Sequence, residues 1–154
     1  MGLTYLQRLN AARTGYTPPG DGPDKNQAAE PITPKKVSKA AKAAFWKEAI
    51  ASLTGQCPCG CGQSTQRSKH SVAHILPKAI FKSVMIHPEN FVERAFWGGC
   101  HTNMDQRGLD KWPSMADWPV IKRKFLILQP LLTKEEKKHK FYKQLKKIID
   151  ADTN

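Results

Sequence analysis

The sequence predicts a small α+β protein in which two short strands and a helix form a core between basic helices. Three observations predict this fold class. Apolar residues recur every four positions from Val37 to Leu53, which is the spacing of one face of a helix. Two short apolar segments near positions 72 and 92, rich in β-branched residues or aromatics, are typical of strands. A stretch of Gly, Pro and Cys at 55–62 is too irregular for either element and predicts a tight loop, or knuckle.

The chain has 154 residues, which is enough for one hydrophobic core with extensions at both ends. Changes in composition predict four regions. They are a flexible N-terminal arm rich in Pro, Gly and polar residues (1–33), a basic helix (34–54), a core (55–112) and a C-terminal helical extension (113–154).

The first predicted helix runs from Pro34 to Leu53. Thr33 is suited to the N-cap, and proline is favoured at the first helical position. The N-terminal half of this helix carries lysines that either contact a phosphate backbone or form a solvated face, and the two interpretations have equal weight. These lysines are Lys35, Lys36, Lys39 and Lys42.

The central region is predicted to contain two strands followed by a helix. The first strand is expected at Ser71–Leu76 and the second at Phe91–Trp97. From Gly99 the chain is expected to form a helix that carries His101 and Asp105 one turn apart on the same face.

The C-terminal extension is predicted to be helical in two stretches. Pro119–Leu128 is aromatic and aliphatic, and Thr133 with Glu136 three residues later forms a capping box that begins a last helix. The tryptophans at 46, 112 and 118 are expected to pack in the interior, although any exposed one could stack on a base.

The charge of the chain indicates its partner. Lys and Arg number 25 against 13 Asp and Glu, so the formal net charge is +12 and the surrounding field attracts polyanions. Nucleic acid, and DNA first, is the expected partner. No apolar run approaches the ~18 residues that a membrane-spanning helix needs, and no signal pattern begins the sequence, so we expect no membrane partner and a cytoplasmic location. The oligomeric state is not indicated.

The four cysteines predict a structural zinc site. Cys57, Cys59 and Cys61 lie within five residues, and Cys100 follows much later. Clustered cysteines in a reducing compartment favour metal thiolates over disulfides, and four thiolates can surround one Zn²⁺. Two alternatives remain at this point: ring strain could prevent the three clustered thiols from binding together, in which case His70 would complete the set, or the cysteines could be incidental small residues in a turn.

Four motifs follow one another between Cys57 and Asp105: CPCGCG, AHILPK, the asparagine of HPEN, and GCHTNMD. In this order they resemble the HNH, or ββα-metal, nucleases, and most closely the small HNH proteins of phage and prophage genomes. The resemblance covers roughly a third of the chain. It implies a zinc knuckle and a ββα-metal core, in which two short antiparallel strands and a helix surround a catalytic metal ion.

The resemblance also implies roles for single residues. His74 would be the general base, acting near the natural pKa of histidine, and Asn90 would fix the loop or orient that base through the backbone. His101 would ligate the catalytic ion, which is Mg²⁺ or another divalent cation. Lys78, the last residue of AHILPK, is a further candidate for contact with nucleic acid.

Two positions depart from the family pattern. Many members carry a metal-ligating Asp or His just before the catalytic histidine, where this chain has Ala73. Asp105 is our substitute as second ligand of the catalytic ion, and His70 or Asn103 could serve instead. Trp97 stands where the first thiol of a second cysteine pair is usual.

We therefore expect a metal-dependent HNH endonuclease that hydrolyses DNA phosphodiester bonds. The alternative is a zinc-stabilised nucleic-acid-binding protein without catalysis. A weaker alternative is a nuclease that acts on RNA.

Overall fold

The computed structural model describes residues 37–97, 99–106 and 108–152, with the backbone alone at positions 103, 105 and 106. The predicted N-terminal arm, the predicted helix start at Thr33 and Pro34, and two candidate phosphate contacts, Lys35 and Lys36, lie outside the described residues.

The first helix of the described chain, α1 (Lys39–Ala51), begins at a serine cap. The hydroxyl of Ser38 accepts a hydrogen bond from the N–H of Ala41 at 3.1 Å, so Val37 and Ser38 lie outside the helix that the sequence predicted to include them. The predicted apolar face is confirmed, because Phe45 and Ala49 are buried.

The strands are shorter than predicted. β1 (Val72–His74) and β2 (Phe91–Glu93) pair in an antiparallel sheet, which has two strands within the described ranges. Val72 lies opposite Glu93, and His74 lies opposite Phe91. β2 ends at Glu93 instead of continuing to Trp97, because the chain turns at Phe96 and Trp97. The predicted α+β class is confirmed at the level of helices with a small antiparallel sheet.

The chain after the sheet is helical. α2 (Cys100–Gln106) begins where the sequence predicted a helix, and α3 (Trp118–Leu128) agrees with the predicted stretch to within one residue. The last predicted helix is divided into α4 (Lys134–Lys138) and α5 (Lys140–Ala151). His139 is extended, with ψ 139°, and its Nδ1 accepts the N–H of Phe141 at 3.2 Å, so this side chain caps α5. The capping box of Thr133 and Glu136 is confirmed at the start of α4.

Short 3₁₀ turns connect these elements. They lie at Lys69–Ser71, Lys82–Val84, Pro88–Asn90, Leu109–Ser114 and Gln129–Leu131.

Two clusters of buried side chains lie on either side of β1. Ala73 packs in the larger cluster, which includes residues of α3 and α5, while its neighbour Val72 packs with α1. Alternate residues of a strand point to opposite faces, so three residues are enough to contact both clusters. Trp112 and Trp118 are buried, as predicted. None of the described helices is both long and apolar enough to span a bilayer.

Candidate functional site

The knuckle at 55–65 is a narrow hairpin. The N–H of Cys57 donates to the carbonyl of Gln63 at 2.9 Å, and that of Thr65 donates to the carbonyl of Gly55 at 2.9 Å. Gly60 and Gly62 have φ of +91° and +72°, values that side chains on Cβ disfavour, so glycine at both positions allows the chain to reverse twice within a few residues. The reversal brings the three clustered cysteines to one side.

The Sγ atoms of all four cysteines lie close together. The Sγ atoms of Cys57 and Cys59 are 3.3 Å apart, and Cys100 Sγ lies 3.7 Å from Cys59 Sγ and 3.4 Å from Cys61 Sγ. All four sulfurs lie within 4.8 Å of one another. A tetrahedral zinc with Zn–S bonds of about 2.3 Å has S···S edges of roughly 3.8 Å, so the spacing fits a Cys₄ set. The four cysteines can therefore bind a metal ion such as zinc without His70.

The thiols differ in acidity. Burial raises the pKa of Cys59 to about 11 and raises that of Cys100 as well. Burial also opposes ionisation of Cys61, but the N–H of Gln63 and the neighbouring thiols outweigh it and lower the pKa of Cys61 to about 7. A metal ion must therefore displace protons from the partly buried thiols of Cys59 and Cys100 on binding.

Glu93 of β2 holds the base of the knuckle. Its carboxylate accepts the N–H of Thr54 at 2.8 Å, the N–H of Gly55 at 2.9 Å, and the hydroxyls of Thr54 and Thr65. Burial works against ionisation, yet these hydrogen bonds keep the pKa of Glu93 below its usual value. The sheet and the knuckle are thus joined by one carboxylate.

A buried ion pair supports the other side of the knuckle. Arg94 is fully buried, and its guanidinium donates to both carboxylate oxygens of Asp117, at 2.7 and 3.1 Å. This pair fixes the loop before α3, where the N–H of Ala116 donates to the carbonyl of Cys59 at 3.1 Å. Removing one partner of such a pair typically costs about 3–5 kcal/mol.

A cleft of about 580 Å³ lies beside the sheet. It contains three of the chain's histidines together with two lysines and a tryptophan. The residues are His70, His74, His101, Lys69, Lys78 and Trp46. Three predicted site residues, His74, His101 and Lys78, therefore face the same space, as does His70, the alternative metal ligand.

His74 ends β1 with its imidazole largely buried. Its Nε2 lies 3.2 Å from the carbonyl oxygen of Met85. Because a carbonyl only accepts, Nε2 carries the proton and Nδ1 keeps the lone pair. Burial first, then the charges of Lys78 and His101, lower the pKa of His74 to about 4 despite the favourable carbonyl of Met85. The expectation of a histidine near its natural pKa is wrong for this ring.

Asn90 is fully buried, and both the oxygen and the nitrogen of its side-chain amide form hydrogen bonds. Its Oδ1 accepts the N–H of Leu76 at 2.8 Å, and its Nδ2 donates to the carbonyls of Leu76 and Val84 at 3.0 and 3.1 Å. These bonds hold both ends of the loop that follows β1. Met85, whose carbonyl orients His74, comes directly after Val84.

His101 is the residue after Cys100 in the first turn of α2. Its Nδ1 lies 2.5 Å from the carbonyl oxygen of His70, so Nδ1–H donates and the lone pair of the neutral ring lies on Nε2. A nitrogen of this kind can ligate a cation.

Lys69 and Lys78 approach the same indole. Their ammonium nitrogens lie 5.6 and 5.5 Å from the ring centroid of Trp46. Neither lysine has a carboxylate partner among the described side chains. Trp46 is half-buried rather than interior, with its ring centroid 5.9 Å from that of His74. Two cations near one indole, without a carboxylate partner among the described side chains, form a site suited to anions.

Comparisons with protein-family models, with curated proteins and with solved structures find no match. The function must therefore be inferred from the thiol cluster and the cleft themselves.

The other predicted residues lie away from the cleft or have side chains outside the described residues. Asp105 lies in α2, but its side chain, like that of Asn103, is outside the described residues. Within the described side chains, the thiols are the only set of three or more His, Cys, Asp or Glu close enough to share a metal ion. Lys39 and Lys42 are exposed on α1 and do not line the cleft.

Sequence reasoning missed several residues that build the site. The chief ones are Glu93, the Arg94–Asp117 pair, and Lys69 with Trp46. For Glu93 the sequence contained a signal, since Glu93 and Arg94 interrupt the apolar segment FVERAF. Buried charges need partners, so two adjacent charged residues in an apolar segment predict that each one pairs with another part of the chain.

Proposed function

We propose that this protein is a metal-dependent HNH-type endonuclease that hydrolyses DNA phosphodiester bonds. The observation that carries the proposal is the pairing of His74 and His101 in one basic cleft, each ring held by a backbone carbonyl. In His74 this leaves a lone pair on Nδ1, and in the neutral ring of His101 it leaves one on Nε2. Those are the forms that a general base and a cation ligand require.

His74 accepts a proton from the attacking water at Nδ1. With a pKa of about 4, nearly every molecule holds the neutral acceptor form at physiological pH. The same low pKa gives less driving force for proton transfer than an ordinary imidazole would. The Met85 carbonyl offsets part of this loss, because it favours the protonated ring.

His101 and Asp105 hold the catalytic cation. The four-residue spacing on α2 puts positions 101 and 105 on one helix face. A divalent cation, when bound, neutralises charge on the scissile phosphate and assists the leaving oxygen as a Lewis acid. The thiol cluster binds structural zinc and fixes Cys100, and thereby the first turn of α2, on which His101 lies.

The lysines bind the phosphates on either side of the cut. Lys69 and Lys78 present two positive charges at the cleft. Lys42 precedes Trp46 by four residues on α1, and Lys39 precedes Lys42 by three, so these side chains share one ridge that leads toward the cleft. Lys35 and Lys36 precede them in the chain, and we propose that they also contact phosphate.

The test is a plasmid-nicking assay with Mg²⁺ or Mn²⁺. His74→Ala should reduce the rate by at least about 100-fold, since general acid–base catalysis contributes about 10²- to 10⁴-fold. His101→Ala should also reduce the rate strongly, because it removes a ligand of the catalytic cation. His139→Asn is the matched control, because this histidine lies outside the cleft and asparagine is also a good N-cap. Equal cutting by wild type and His74→Ala would refute the mechanism.

One observation favours a second function, a zinc-stabilised nucleic-acid-binding protein without catalysis. Ala73 occupies the position of a metal ligand in many HNH nucleases, and here it is fully buried in the larger apolar cluster, so this position does not face the cleft. This alternative predicts salt-sensitive DNA binding with no cleavage under any divalent cation. A parallel RNA substrate distinguishes the two nucleic acids.

A further inference from the structure

The turn between β2 and α2 exposes two aromatic side chains. Trp97 is 79% exposed, the largest value among the big apolar side chains of the described residues, and Phe96 beside it is 37% exposed. Exposing an indole to water forgoes about 1.5–3 kcal/mol of burial free energy, and large exposed apolar groups often mark binding surfaces.

This aromatic ledge, Phe96 and Trp97, adjoins the cleft. The ring centroid of Phe96 lies 4.9 Å from that of His70 and 6.0 Å from that of His101, and both histidines line the cleft. Trp97 meets Phe96 edge-on, with centroids 5.3 Å apart and an interplanar angle of 83°. The ledge therefore extends from the His101 side of the cleft into solvent.

The positive charge of the cleft indicates that its ligand is a polyanion. Lys69 and Lys78 lack carboxylate partners in the described part of the chain, and the whole chain carries a net charge of +12. A polyanion in the cleft that also covers an indole must carry flat apolar groups beside its charges. A nucleic acid strand with unpaired bases has this chemistry, and a basic groove beside an aromatic side chain is the usual way to bind one.

We propose that Trp97 stacks on an unpaired base next to the phosphates in the cleft, so that the preferred ligand is locally single-stranded DNA. The inference rests on the proposed function for its nucleic acid partner, but it does not depend on cleavage. It assigns Trp97 a part in substrate choice, since duplex DNA keeps its bases stacked on one another and offers none to the indole.

The experiment compares two strands with equal numbers of phosphates. Zinc-loaded full-length protein is titrated, without added Mg²⁺ or Mn²⁺, against a short labelled oligothymidine and against the same strand with abasic central positions. The wild type should bind the oligothymidine about ten-fold more tightly. Trp97→Ala should bring this ratio close to one while leaving the affinity for the abasic strand unchanged, and Trp97→Phe should keep part of the ratio.

Leu126→Ala is the matched control, because Leu126 is also an exposed apolar residue but belongs to α3 and does not line the cleft. It should keep the wild-type ratio. An equal ratio in wild type and Trp97→Ala overturns the inference and leaves the proposed nuclease standing. No binding of either strand overturns both, because the nucleic acid partner is then absent.

Discussion

The imidazole of His74 is kept neutral by its surroundings. Burial, Lys78 and His101 all disfavour the charged ring and lower its pKa from 6.5 to about 4. The local sequence AHILPK contains Lys78, but it does not reveal the main cause of the lowered pKa, which is the burial of the imidazole at the end of β1.

The lowered pKa of His74 predicts a pH-dependent loss of stability. Above pH 6.5 the ring is neutral in both states and contributes no pH dependence. Between pH 6.5 and about 4 the unfolded chain binds a proton that the folded chain does not, so the free energy of unfolding falls as pH falls. Between about pH 7 and about pH 5, the wild type should lose roughly 2 kcal/mol more than His74→Gln, whose amide does not titrate. Urea unfolding of both proteins measures the difference, and zinc loss in acid affects both alike. Parallel pH dependences would show that His74 titrates normally.

For Asn90 the sequence suggested a role but not the hydrogen-bond partners through which the residue performs it. The resemblance implied that it fixes a loop or orients the base, and its three hydrogen bonds to Leu76 and Val84 support both ideas at once. The partners lie 6 and 14 residues away, and a turn motif such as HPEN does not specify them.

At the scale of elements, the apolar periodicity predicted which segments are helical, but it did not predict well the residues at which helices and strands end. The apolar face of α1, the position of α3 and the capping box of α4 follow from local spacing and local hydrogen bonds. The short β2 and the division at His139 do not, because they depend on tertiary contacts. Glu93 bonds to residues up to 39 positions away, and Arg94 pairs across 23. Such distances leave no pattern in a single sequence.

The knuckle provides a matched pair of glycines for a prediction. Gly60 and Gly62 both have positive φ, but a Cβ on Gly60 would lie 3.1 Å from Ala116 Cβ, whereas one on Gly62 would meet nothing within 4 Å. Gly62→Ala should cost about 1 kcal/mol for its backbone alone, and Gly60→Ala should cost about 1 kcal/mol more. Urea unfolding of the zinc-loaded proteins measures both. Adding Ala116→Gly to Gly60→Ala should reduce the difference in unfolding free energy between the Gly60 and Gly62 variants. If that difference is unchanged, contact with Ala116 is not its cause.

At the scale of the whole molecule, the metal site and the apolar cores are separate. Neither buried cluster contains a cysteine, and α3 and α5 contribute to the larger one. The thiols instead join the knuckle to the first turn of α2. The sequence predicted a structural zinc site, and the structure limits the expected effect of losing the metal to the parts of the chain that the four thiols join.

Chelation of zinc should therefore loosen the molecule unevenly. Amide hydrogen exchange should increase most at 57–62 and at 99–101, where the four cysteines lie, because the metal joins these turns, whereas the hydrogen bonds of Glu93 hold the base of the hairpin. Exchange in α3 and α5 should change little, since their burial does not depend on the metal. Cys61→Ser should reproduce the pattern without a chelator, as this thiol is exposed and fills no core.

Increased exchange throughout α3 and α5 would show that the metal supports the whole fold. No change at the knuckle would show that the four thiols do not hold zinc. The expected pattern keeps most of the fold intact while freeing the turn that carries His101, so the apo protein should lose the proposed nuclease activity before it loses its core.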